Sequence, residues 1–439
     1  MNGGMEVELY PDSIVYIVCP AESRSGGPEL MHQLASELLR RGVDARMYYV
    51  PNDVENPVHA AYEAYHIPYV RSLQDEPQNV LVFPETAGIG DFIFVGQSVR
   101  KIFWWMSVDN WLKTVIKWLA AQLENPLESP MPKMLRFDTD TFLTHWVQSE
   151  YARQFVSLNG VPEKDIHFVG DYLNPVFLAR SAGREETKKE DIIVYNPNKG
   201  MEFTEQLMKA APELDWRPIQ DMTREEVEQL LARAKVYIDF GNHPGRDRIP
   251  REAAVSGCCV LTGKRGAAAN AVDISIPERY KFDDDTEQIP QILKEIQRIF
   301  LDFSTASKDF ESYRKSIYQE PQKFRRQVAE AFSFGEQEPP RGVAFLELSA
   351  EGLLLWRVLR TMPEYQPVCF VHAGEAGRWC KDEDGAELPI YSPEDAAFLY
   401  REGRIARLMM WENSREQYGE MLADLSARDE DCIFLEPPE

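Results

Sequence analysis

Residues 236–263, VYIDFGNHPGRDRIPREAAVSGCCVLTG, decide the fold. Val236–Phe240 is an apolar, largely β-branched run short enough for a buried strand. A Gly/Pro/His/Arg loop follows, then a short helix predicted to begin near Ile249 or Pro250. A Ser256-Gly257 stop and a second buried strand over Cys258–Thr262 complete the unit. In a parallel α/β sheet, ligands sit beyond the carboxyl ends of the strands, where loops meet helix N-termini. The unit therefore offers backbone N–H groups, Arg246, Arg248 and one carboxylate, Glu252, to an anionic ligand that bears hydroxyls.

The same cadence extends on both sides. Upstream come a strand over Asp191–Tyr195, a helix over 201–211, a strand over Trp216–Ile219 and a helix over 223–233. Downstream, a weaker strand is expected near Ile274 and Tyr280–Phe282, then a helix from Thr286 to about Phe303 and one or two polar helices over 307–333. An earlier series opens with Ser13–Cys19, the loop PAESRSGG, a helix with Leu30, Leu34 and Leu38 on one face, and a strand over Ala45–Val50. Asn79–Phe83, Lys101–Met106, Phe142–Gln148 and Ile166–Val169 continue it. Short apolar runs alternating with helical periods give two doubly wound domains. GEQEPPRG (335–342) reads as a linker. Beyond it, Val343–Leu348, a helix over 350–361, Pro367–His372 and Ile405–Trp411 read as half of a further fold of this kind.

A chain of 439 residues accommodates two or three such domains. Its formal charge of −24 disfavours nonspecific nucleic-acid binding, which depends on neutralising phosphates. The six cysteines show no zinc spacing and read as reduced thiols. With no apolar run near the ~20 residues that span a bilayer and no leader pattern, a cytoplasmic location is expected.

Four features, taken in order, resemble the retaining GT-B glycosyltransferases often called family 4, over about residues 13–333. SGG (25–27) follows the first strand, and KG (199–200) follows the first strand of the second half. REAAVSGCCVLTG (251–263) resembles the family's EA…G.PV segment, with Glu252 at the second glutamate of its paired-glutamate motif. FDDDTEQIPQIL (282–293) resembles the run before its returning helix. Two positions depart from the pattern: the first glutamate falls on Pro244, beside His243, and the usual arginine before the lysine falls on Val194. The tail, VAFLELSAEGLLLWRVL onward, resembles more faintly the half-Rossmann module that precedes FkbM-type methyltransferases, with its glycine fingerprint degraded to SAEG.

The resemblance implies an α/β chain of two Rossmann-like domains facing a cleft (GT-B) plus a small C-terminal α/β half-Rossmann module. Its bounds are 1–170, 171–334, the linker 335–342 and 343–439. It implies a nucleoside diphosphate sugar as donor, no metal or other cofactor, and a glycan or lipid-linked acceptor in cell-surface polysaccharide biosynthesis. Donor contacts are expected from Asn198, Lys199, Arg246, Arg248 and Glu252 and from the backbone at Gly26 and Gly27. His243 and Asp247 are expected to contact the sugar. No catalytic residue is identified.

Each assignment has a plainer rival. Lys199 is also a loop lysine, and Glu252 also suits the first turn of a helix, where a carboxylate gains ~0.3–1 kcal/mol from the dipole. The cluster His243, Arg246, Asp247, Arg248 also suits a solvated turn, and Gly26-Gly27 a tight strand-to-helix turn. Asp91 and the tryptophans 104, 105 and 111 are acceptor-side candidates, although aromatics at such positions more often fill a core. Asp138-Thr139-Asp140 spells a DxD but precedes its strand, and Asp283–Asp285 suits a helix cap. Helix Trp111–Leu123, with Lys113 and Lys117, is a core helix or a peripheral membrane contact. The C-terminal module is read as an appendage that binds another protein or regulates the enzyme. A non-catalytic sugar-nucleotide-binding scaffold and a sugar-nucleotide 2-epimerase are the competing functions.

Overall fold

The computed structural model describes residues 6–86, 92–93, 95–124, 135–182, 187–334, 339–346, 348–382, 385–412, 415–416, 418–424 and 427–435. Asp91 lies outside them, as do residues 335–338, the first half of the expected linker. The chain divides into two compact units, one of residues 1–7 and 82–332, the other of residues 8–81 and 333–439.

In the first unit, residues 82–84 of strand Val80–Pro84 and strands Arg100–Trp105, Leu143–Val147 and Ile166–Phe168 lie side by side in that order. The last three are parallel, with Trp104 opposite Trp146 and Val147 opposite Phe168. Their large side chains are the reason this layer is dry. Trp104 and Trp146 meet edge to face at 5.4 Å, and Trp105 stacks among Trp111, Phe137 and Phe155. Two of the buried indole N–H groups find acceptors, Trp104 Nε1 on the Val169 carbonyl and Trp105 Nε1 on His145 Nδ1. The tryptophans are therefore core residues.

Four further parallel strands of this unit run in the order Asp215–Pro218, Glu190–Tyr195, Ala234–Asp239, Cys259–Thr262. Runs such as Ile192–Tyr195 and Val236–Ile238 are buried on both faces, as a sheet covered on both sides requires. Thr223 and Glu226 form a reciprocal capping box that starts helix Arg224–Arg233. The expected strand at Ile274 and Tyr280–Phe282 does not form. Glu278–Tyr280 is instead a 3-10 turn after Pro277, and only Lys281 bridges to Thr262. Lys281 Nζ holds the carbonyls of Ala268 and Asn270, so the chain doubles back there. The polar stretch beyond Leu301 forms three helices, Phe303–Lys308, Glu311–Tyr318 and Glu320–Ala331.

In the second unit, strands Tyr69–Val70, Asp44–Val50 and Ile14–Pro20 are parallel in that order, and helix Gly26–Arg40 joins the latter two. A six-stranded sheet follows the order Trp379–Lys381, Glu387–Tyr391, Tyr365–Val371, Arg341–Phe345, Arg407–Trp411, Cys432–Leu435. All of its pairings are parallel except the outermost, between Trp379–Lys381 and Glu387–Tyr391. Helix Pro393–Glu402, absent from the expectation, is capped by Ser392 and stopped by a left-handed Gly403. Gly342 leaves no room for a side chain, because a Cβ there would stand 1.7 Å from the Arg404 carbonyl oxygen.

Candidate functional site

Strand Ala234–Asp239 delivers one carboxylate to its carboxyl end. Asp239 is buried, accepting from the Tyr237 hydroxyl at 3.1 Å and from the Gly241 N–H at 3.1 Å. The loop then turns His243 inward until it is fully buried. Its Nε2 lies 3.5 Å from Asp239 Oδ1, and its Nδ1 lies 2.8 Å from Asp247 Oδ2. Lys199 Nζ reaches that same Asp247 oxygen at 2.5 Å. Four groups thus form one line in which acidic and basic side chains alternate, Asp239–His243–Asp247–Lys199.

Close backbone approach makes the line possible. A Cβ on Gly200, whose φ is +59°, would stand 2.5 Å from the Gly241 nitrogen, and one on Gly241 would stand 2.6 Å from Lys199 Cβ. The two glycines let loop 196–200 cross loop 240–242 and set Lys199 over Asp247. Asn198 sits on the exposed side of its turn, its N–H on Asn196 Oδ1.

Burial alone would lower the His243 pKa, but Asp247 and Asp239 outweigh it and hold the imidazole above its ordinary value. Burial opposes ionisation of Asp247 as well. There His243 and Lys199 win, and the carboxyl is held below its ordinary range. Asp239, His243 and Asp247 offer ligand atoms within 4.8 Å of one another, close enough for a cation. The Lys199 ammonium, 2.5 Å from Asp247 Oδ2, would have to give up that oxygen to an ion.

Residues at the carboxyl ends of the first set of strands meet this loop. Asn242 Nδ2 donates to Asp109 Oδ2 at 2.8 Å, and the Arg246 N–H donates to Gln148 Oε1 at 3.3 Å. Gly245 is pressed so close that a Cβ would stand 2.2 Å from the Met106 carbonyl oxygen. Behind Met106 lies Glu85, fully buried, accepting the Met106 N–H at 2.9 Å. Burial pushes the Glu85 carboxyl up to about 7. Asp273 reaches across from the second half to accept the N–H groups of Glu150 and Tyr151, where helix Glu150–Leu158 begins.

The two arginines expected to clamp an anion sit against carboxylates. Arg246 pairs with Glu320 and lies 3.9 Å from Asp171, while Arg248 Nε is 3.6 Å from Asp171. Arg251, 1% exposed, is the centre of the network, 2.6 Å from Asp171 and 2.8 Å from Glu320. Burial works against Asp171 ionising, yet Arg251, Arg248 and Arg246 keep its pKa below the usual value. Helix Arg248–Val255 begins earlier than expected, with Asp247 as N-cap, and carries no acidic residue in its first turn. Glu252 is its fifth residue, so a dipole gain in the first turn does not account for it. Gly26 and Gly27 open helix Gly26–Arg40 in the other compact unit, with Ser25 as N-cap.

The two acidic triplets are turns. Asp138 pairs with Arg136 and Asp140 accepts the Arg136 N–H, while Asp285 caps the 3-10 turn Thr286–Gln288. Sequence reasoning passed over Glu85 and Asp239. Their signal was present: each is the lone charge at the end of an apolar run, VLVFPE and VYIDF.

No family model matches the sequence, and no curated protein does. Solved structures do match. Anabaena HepE in complex with UDP and glucose superposes with a TM-score of 0.50 at 12% identity, covering 73% of this chain and 99% of that one. A glycosyltransferase from Rickettsia africae gives a TM-score of 0.50 at 11% identity, covering 74% and 100%. The fold is GT-B. At such identities the likeness concerns the fold alone, and the chemistry rests on the residues above.

Proposed function

We propose that this chain is a glycosyltransferase that takes its sugar from a nucleoside diphosphate sugar. The carrying observation is the Lys199–Asp247–His243–Asp239 line, set at the carboxyl end of a parallel sheet in a GT-B fold. Departure of a nucleoside diphosphate needs positive charge where the negative charge grows. Lys199 supplies it, with Asp247 holding the ammonium in place and His243, 2.8 Å from Asp247, positioning that carboxylate from behind. Glu252, on the helix that follows the loop, is assigned to the ribose hydroxyls. Arg246 and Arg248, 12% and 14% exposed against 28% for Lys199, are less open to a phosphate, so we rank them below Lys199. Asn198 supplies a loop contact to the donor in this reading. Transfer with retention, without a metal, to a glycan or glycan-lipid in surface polysaccharide assembly completes the proposal.

Helix Val108–Glu124 supports a lipid-borne acceptor. Among the described residues, Ile116, Leu119 and Leu123 are 64%, 40% and 83% exposed, three apolar side chains at helical spacing beside Lys113 and Lys117. No described helix is long and apolar enough to cross a membrane. A stripe of this kind lies on a surface instead. Flotation with anionic vesicles should carry the protein up, and replacing the three residues by serine should abolish it.

The core proposal is tested by calorimetric titration with UDP, GDP and their glucose conjugates, followed by donor-turnover assays. Saturable binding that weakens about tenfold or more in Lys199→Ala supports it. Binding without turnover would select the non-catalytic scaffold reading, which Pro244 at the place of the first glutamate and the tied arginines favour. No binding of any nucleotide would sink both.

A further inference from the structure

The second compact unit contains a cavity of about 670 Å³, lined on one side by residues 66–69 and on the other by strands Tyr365–Val371 and Glu387–Tyr391. Its size is that of a small-molecule site. Three features of its wall are not explained by packing alone.

Arg404 lines it. One guanidinium nitrogen donates to the Tyr65 carbonyl, and among the described residues no carboxylate forms an ion pair with it. The other arginines of the wall differ: Arg40 is held by Glu37 and Arg378 by Glu375. Burial outweighs the more distant pull of Glu402 and holds the Arg404 pKa below the ordinary value, and a guanidinium that no carboxylate contacts beside a cavity is a fork for a carboxylate or phosphate. His66 also lines the cavity. Its backbone is left-handed (φ 46°, ψ 50°), a costly conformation for a residue with a Cβ. Its ring lies flat on Tyr391 at 3.7 Å and its Nε2 is 3.0 Å from Asp395, so the imidazole edge is fixed. Trp379, also in the wall, is 60% exposed, and Tyr69 is 42% exposed. Indole and phenol faces in contact with water are surfaces on which the C–H face of a pyranose can stack.

From this combination we infer a second ligand site, separate from the Lys199 line, for a saccharide that carries a carboxylate or phosphate. Arg404 takes the anionic group and Trp379 covers the ring. The inference stands apart from the donor reading, since none of these residues belongs to it.

The test is calorimetric titration of the full chain with a galacturonate trisaccharide, with glucose 1-phosphate and with maltotriose. Saturable binding of either acidic probe, and not of maltotriose, is expected. Whichever acidic probe binds tells carboxylate from phosphate. Trp379→Ala, exposed and harmless to folding, should weaken binding about fivefold or more, and Arg404→Gln about tenfold or more. Thermal melts and far-UV circular dichroism of both variants check their folding. Absence of binding by both acidic probes overturns the site, as does equal binding of maltotriose or affinity unchanged in Trp379→Ala.

Discussion

His243 Nδ1 lies 2.8 Å from Asp247 Oδ2, inside a fold that buries the imidazole completely. Each partner shifts the other toward its charged form, His243 upward and Asp247 downward. The His243 contribution to stability is complete below its unfolded pKa of ~6.5 and is lost as pH rises through the higher folded value. The Asp247 contribution is present above its unfolded pKa of ~3.9 and is lost as pH falls through the lower folded value. Urea unfolding across pH should therefore show His243→Gln losing the alkaline decline that this residue causes. An unchanged profile would mean that the pair does not form.

Asp247→Asn should cost about 2–3 kcal/mol. That is below the 3–5 kcal/mol typical of breaking a fully buried pair, because the side chain is 21% exposed. Its distinguishing mark is a weaker hold on Lys199. UDP affinity should fall alongside stability, whereas a purely structural role would lower the midpoint alone.

Glu85 behaves in the opposite sense from Asp247. Its folded pKa of about 7 stands above the ordinary 4.5, so the folded state keeps a proton that the unfolded state has released. Stability from this site falls as pH rises from about 4.5 to 7, by on the order of 3 kcal/mol in total. Glu85→Gln, which keeps an acceptor for the Met106 N–H, should be the more stable protein at pH 8. Thermal melts at pH 5 and pH 8 measure the difference directly.

Gly245→Ala places a Cβ where the Met106 carbonyl oxygen already stands. Backbone must move, at a cost of about 1–3 kcal/mol. The movement should loosen the Asn242–Asp109 hydrogen bond, read by amide exchange at residues 240–247.

Arg251→Met removes the centre of a buried network and leaves Asp171 and Glu320 to Arg246 and Arg248 alone. A loss of about 3–5 kcal/mol is expected in chemical denaturation. Adding Asp171→Asn should recover part of it, since the stranded charge is then gone.

The sequence carried most of the strand positions, because runs such as IVYIV and VYIDF are buried on both sides and announce themselves by composition. It did not carry Trp379–Lys381 or Glu387–Tyr391, short pieces at and next to a sheet edge that mix polar and apolar residues. Helix Pro393–Glu402 was legible in Ser392-Pro393-Glu394-Asp395 and the Gly403 stop, and was passed over. Lys199 and Asp247 were each picked out, yet their contact depends on two glycines that let separate loops cross. The pairing of Arg246 and Arg248 with Asp171 and Glu320 joins residues some 70 positions apart. Helix and sheet order sets that proximity, and no local pattern encodes it.

The segment at Gly170-Asp171 leads from the first half of the larger unit into the second, and helix Glu320–Ala331 ends the unit. Gly170 donates to Gln327, and Arg251 grips both Asp171 and Glu320. Outgoing and returning chain are thus stitched at one spot. Any change of angle between the two halves has to swing about that spot as on a pivot, and neither segment can slide past the other without exposing three arginines and two carboxylates.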